Sequence, residues 1–179
     1  MISLNVIFWI YVVFFALIGA MRGWAKELLV AFAVILSLFI IAVLERFVPF
    51  IRDNLAVNSQ VTLFWIRVII LFALVFFGYQ SPNIPRLAGS NRFARERLQD
   101  ILLGLFLGAV NGYLVVGTLL FYLHDAKYPF PIITPPQPNT PMGQATLQLI
   151  SYMPPHWMGT PVIYFAVAVA FAFVLVVFI

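Results

Sequence analysis

Five apolar runs, each near the length that crosses a bilayer, constrain this chain more than any other feature. A hydrocarbon core about 30 Å thick needs roughly 20 apolar helical residues. Leu4–Met21 and Leu28–Leu44 carry no charge, and the second is near the lower length limit. Val61–Tyr79 is apolar apart from Arg67, Ile101–Leu123 is charge-free and the longest, and Pro161–Ile179 is the fifth. None alternates apolar with polar residues as a barrel strand does, so each predicts a helix. Composition agrees, with 64% hydrophobic and 9% charged residues against about 45–50% and about 25% in soluble domains. A soluble globule of this size exposes more surface than so few polar groups can cover. The expected fold is all-α, a polytopic membrane helix bundle of about five transmembrane helices.

The first run lacks the basic residues that open a signal peptide, since Arg22 and Lys26 follow it; a retained span is expected. Orientation follows from the loops. The first and third connections hold Arg22, Lys26, Arg86, Arg92, Arg95 and Arg97, whereas the second and fourth hold Arg46, Arg52 and Lys127. The positive-inside rule then places the N-terminus outside and the first and third connections in the cytoplasm. The cluster Arg86, Arg92, Arg95 and Arg97 suits anionic head groups. No nucleic-acid fold accompanies it, so no nucleic-acid partner is expected.

Three units are expected: a four-span core over 1–123, a proline-rich external loop over 124–160, and an additional C-terminal transmembrane helix over 161–179. "RGWAKE", Arg22 to Glu27, is so short that the first two helices must form a tight hairpin, with Gly23 supplying an unusual backbone angle. In Glu45 to Gln60, Phe47, Phe50, Ile51 and Leu55 recur at helical spacing, which predicts a short amphipathic surface helix with Pro49 in its first turn. In Gln80 to Asp100 a helix is expected from about Arg92, capped by Ser90 or Asn91. The 124–160 loop holds most of the prolines and reads as an extended spacer, with room for a short helix near Gly143–Ser151.

The run "QDILLGLFLGAVNGYL", Gln99 to Leu114, places Asp100, Gly104, Gly108 and Gly112 four residues apart. Residues at that spacing share one helix face. Glycine weakens a helix by about 1 kcal/mol relative to alanine, so such a stripe needs a reason. Lipid tails give helices no hydrophobic drive to associate, and small residues let backbones approach instead. Gly19 and Gly23, beside Ala16 and Ala20, form a similar patch. The fourth span is therefore expected to pack closely on another helix, either in the same chain or in a second copy.

Two segments, "ALIGAMRGWAKELL" and "DILLGLFLGAVNGYLVV", resemble the most recognisable parts of the colicin V production protein family. Gly19, Arg22, Gly23, Lys26 and Glu27 match the first motif, and Asp100, Gly104, Gly108 and Gly112 the second. The resemblance covers about residues 4–123. The chain departs from the pattern at Ile101, where the family usually has arginine, and at Asn111, where a basic residue often stands. The resemblance implies a bacterial cytoplasmic (inner) membrane protein linked to toxin production or export and to envelope maintenance.

Charges near the membrane complete the reading. Arg22, Lys26, Glu27 and Asp100 fall at one membrane face. Asp100 is expected either to favour the N-terminus of its own helix or to pair with Arg22. Arg67 is expected to reach the outer interface by snorkelling, with Glu45 as the better partner. His124 and His156 lie in or beside the outer loop without ligand spacing, and no nucleophile motif or phosphate loop is present. No catalytic, cofactor-binding or metal residue is expected. The expected role is a scaffold or accessory factor, with an oligomeric channel or transporter subunit as the alternative. Expected partners are the lipid bilayer and either further copies of the chain or envelope and secretion proteins.

Overall fold

The structure, a computed structural model, describes residues 3–55, 59–80 and 94–178. It is an all-helical bundle built from α1 (Leu4–Arg22), α2 (Trp24–Phe47), a π-helical turn (Phe50–Leu55), α3 (Gln60–Tyr79), α4 (Ala94–Asp125), α5 (Pro141–Ser151), α6 (Pro154–Trp157) and α7 (Val162–Phe178). Among the described residues, α1 to α4 are long and apolar enough to cross a membrane. The expected fifth span is α7, an apolar helix of 17 residues, shorter than the roughly 20 residues of a full crossing. Trp9, Phe14, Met21, Phe77, Phe106 and Phe165 lie on the bundle's exposed surface, as lipid-facing side chains must.

The first turn is tighter than the sequence predicts. Gly23 alone separates α1 from α2, at φ 85°, and its N–H donates to Gly19 O at 2.9 Å. Only glycine enters that region without strain. Despite the short link, α1 packs mainly along α4, and α4 also packs on α2. The pair is thus not the closely packed hairpin expected: α4 is the shared partner of both.

At the far end of α2, Val48 adopts an extended conformation (φ −94°, ψ 106°), as the residue before Pro49 prefers. The expected surface helix follows as one π-helical turn, with Leu55 buried and Arg52 paired to Asp53 at 2.7 Å in solvent. The core runs between α2, α3 and α4 through Val30, Val34, Leu38, Phe64, Leu71 and Leu114. A smaller cluster joins α1, α4 and the loop through Phe8, Val12, Leu120, Ile150 and Met153.

The 124–160 segment departs most from expectation. Proline-rich as it is, it is no extended spacer. Thr140 caps α5 by accepting from Gly143 N at 3.1 Å, with Pro141 in the first turn, both favourable there. This is the short helix for which the sequence left room. Met153 is wholly buried, and a Cβ at Gly117 would stand 2.5 Å from its Sδ and 3.0 Å from Pro154 Cδ. Gly117 precedes Asp125 by eight residues, about 12 Å at the helical rise. The segment therefore folds back along α4 instead of staying beyond its end. Tyr113 donates its hydroxyl to Tyr152 O and accepts from Trp157 Nε1 at 3.0 Å, anchoring the fold-back. The prolines break the chain into short helices, and apolar Ile150 and Met153 then find a core.

Candidate functional site

The glycine stripe meets the glycine patch within one chain. An added Cβ at Gly108 would stand 2.9 Å from Gly19 Cα and 3.1 Å from Ala16 Cα. At Gly112 it would meet Val12 Cα at 2.9 Å, and at Gly104 it would meet Gly23 Cα at 3.1 Å. Backbone alone faces Gly104 and Gly108, and at Gly112 the Phe15 side chain joins it, so α1 and α4 interlock through missing side chains. Gly78 does the same between α3 and α2, where a Cβ would stand 3.2 Å from Val30 Cα; nothing in its spacing singles it out.

Next to this seam, at the hairpin end of the bundle, lies a polar network. Glu27, on the first turn of α2, is wholly buried. Its Oε1 accepts from Arg22 Nη1 at 2.6 Å and its Oε2 from Asn111 Nδ2 at 2.8 Å. Asn111 also donates to Glu27 O at 2.8 Å. Arg22 Nη2 donates to Tyr79 O at 3.0 Å, and the guanidinium stands 4.3 Å from the Tyr79 ring centroid. The Glu27 carboxylate thus joins α2 to α1 and α4, and Arg22 extends the link to α3. A buried charge is tolerated only when paired and hydrogen-bonded, and both carboxylate oxygens are satisfied. Ser37 and Thr118, also wholly buried, donate within their own helices to Val34 O and Leu114 O.

Asp100 does neither of the things expected of it. It does not sit at its own helix N-terminus, because α4 begins at least six residues earlier, at Ala94. Nor does it hold Arg22, whose guanidinium is on Glu27 and Tyr79. Its Oδ1 accepts from Trp24 N at 3.2 Å. Trp24 opens α2, and Gly23 before it has no side chain to cap with. Asp100 therefore caps the neighbouring helix, placing a carboxylate at a positive helix terminus. A Cβ at Gly23 would meet that carboxylate at 2.8 Å, so the glycine serves both the turn and the cap. Lys26 lies half-buried beside Glu27.

The opposite, loop end carries a second cluster. Arg67 Nε donates to Glu45 Oε1 at 2.5 Å and Nη1 to Asp125 Oδ2 at 2.5 Å. Its guanidinium stands 4.9 Å from the Tyr122 ring centroid. The expected partner, Glu45, is found; Asp125 and Tyr122 are additions, one turn apart at the end of α4. His124 Nδ1 lies 3.2 Å from Tyr128 Oη. Among the described residues no three His, Cys, Asp or Glu converge as a metal site would require. Of the basic cluster, Arg97 is exposed; Arg86 and Arg92, the Arg95 side chain and the caps Ser90 and Asn91 lie outside the described residues.

Fold and interior together define a class: a small polytopic membrane protein in which one buried carboxylate, Glu27, is bonded to Arg22 of α1 and Asn111 of α4. The model of the family described as colicin V production protein matches residues 4–135, so the chain belongs to that family. The match takes in α1 to α4, and α5 to α7 lie beyond it. Neither a curated protein nor a solved structure matches the chain.

Proposed function

We propose that this chain is a non-enzymatic scaffold or accessory factor of a bacterial cytoplasmic membrane, with its N-terminus outside. It serves toxin production or export, or envelope maintenance, through envelope and secretion proteins or further copies of itself. Family membership supports the link to toxin production. The observation that carries the scaffold reading is the Arg22–Glu27–Asn111 network, where buried polar groups are spent on joining helices. A permeation path needs such groups facing a polar lumen instead. A rigid bundle offers fixed surfaces to partners.

Quantitative copurification in mild detergent, joined to an assay of secreted toxin in cells lacking the chain, tests this. The scaffold reading expects a stoichiometric envelope or secretion protein, with toxin output falling alike when either is lost. A purified chain with no such partner that moves ions or substrate by itself would replace it with the channel or transporter subunit.

A further inference from the structure

The loop end holds a cavity of about 480 Å³, within the roughly 300–1,000 Å³ of small-ligand sites. Leu38, Ile41 and Ala42 of α2, with Phe121 and Met158, supply its apolar lining, and Glu45, Arg46, Arg67 and Thr160 its polar lining. Tyr122 lines it, is only 3% exposed, and its hydroxyl makes no hydrogen bond among the described residues. Arg67 has five N–H donors; one on Nε and one on Nη1 are used, which leaves three without a protein acceptor among those residues. Glu45 Oε2 is likewise unclaimed there, since Oε1 takes the Arg67 bond. Arg46 and Arg67 balance Glu45 and Asp125, so the mouth is neutral overall while presenting both donors and an acceptor.

Met158 also lines a second cavity, of about 510 Å³, between α2 and α7, where Leu28, Ile35, Val162 and Phe173 make almost purely apolar walls. The polar mouth thus adjoins an apolar groove along α2 and the apolar helix α7. A soluble ligand has no use for that groove.

We propose that these cavities hold one zwitterionic phospholipid of the phosphoethanolamine class. Its phosphate faces Arg46, the spare N–H groups of Arg67 and the Tyr122 hydroxyl; its ammonium faces Glu45; an acyl chain lies between α2 and α7. The chemistry discriminates. A choline head group has no N–H to give Glu45, and a purely anionic head group leaves that carboxylate opposed by like charge. This site is independent of the scaffold role and holds whether or not the chain recruits a partner.

The test is native mass spectrometry of the full chain after equilibration in nanodiscs with equal parts phosphatidylethanolamine, phosphatidylcholine and phosphatidylglycerol. One charge-assisted hydrogen bond is worth about tenfold in affinity or more, so retained phosphatidylethanolamine should exceed each other lipid by about tenfold. Glu45→Gln should abolish that preference, and Ala42→Phe, which fills the cavity, should abolish retention. Thr160→Phe, at an exposed rim position, narrows the mouth and should lower retention even if Ala42→Phe fails to fold. Equal retention of the three lipids, or a preference that survives Glu45→Gln and Thr160→Phe, would overturn the proposal.

Discussion

Replacing Gly108 should part the two helices that hold the bundle together. A Cβ there falls 2.9 Å from Gly19 Cα and 3.1 Å from Ala16 Cα, where ordinary contact begins at 3.4 Å. Both neighbours are backbone atoms of α1, which cannot rotate aside. Even alanine therefore forces α1 and α4 apart by several tenths of an ångström along a seam that Gly104, Gly108 and Gly112 share. Overpacking costs about 1–3 kcal/mol. Alanine's better helix propensity returns up to about 1 kcal/mol, so Gly108→Ala should lose about 1 kcal/mol net and Gly108→Leu about 3 kcal/mol or more. Leu107→Ala, at the adjacent half-buried position, should cost less than Gly108→Leu. Tryptophan fluorescence during thermal unfolding in mild detergent reads this directly, because Trp9 lies on α1 and Trp24 opens α2. A Gly108→Leu protein that melts with the wild type would refute the close approach of α1 and α4.

Arg22→Ala strands the buried Glu27 carboxylate and should cost about 3–5 kcal/mol, much of it recovered by adding Glu27→Gln; denaturation of the single and double variants measures that coupling. The same cycle on Arg22 and Asp100 should give a smaller coupling than that of Arg22 with Glu27, since Arg22 holds Glu27 and Asp100 holds Trp24 N, and what coupling remains passes through the first turn of α2 that both serve. Asp100→Ala, by uncapping α2, should cost about 1 kcal/mol, read as faster amide exchange in the first turn of α2. Single cysteines, which the wild-type chain lacks, should react with an impermeant reagent outside the cell at position 139 and not at position 92; the reverse pattern would invert the topology.

The helices themselves were legible because their cause is local. Long apolar runs, charge-free inside apart from Arg67, admit one fold class in a bilayer. The α1–α4 contact was also legible, since a glycine at every fourth position of an apolar helix has little purpose besides close packing, although spacing alone left open whether the partner was in the same chain. The polar network was half legible. Glu27 and Arg22 stand out as charges, but their separation of five positions suggests no pairing across a helix break. That pairing exists because Gly23 turns the chain at φ 85° and brings the end of α1 over the start of α2. Asn111 stands where the family often has a basic residue; its amide donates twice to Glu27 while Arg22 supplies the positive charge. Asp100 misled because α4 extends beyond its apolar run, so a carboxylate at the run's edge lies inside the helix. The loop misled for a different reason. Proline content forecasts the absence of long helices, and it does so correctly, but it carries no information on whether the short pieces between prolines find a core.

The account rests on interior polar groups being locks and not a conduit, and ion flux through the purified chain reconstituted in liposomes tests that most directly. With Glu27, Asn111 and Arg22 engaged with one another, potassium and chloride leakage should equal that of empty liposomes, and Asn111→Leu should lower stability without changing flux. A flux above that background, reduced by Asn111→Leu, would contradict it.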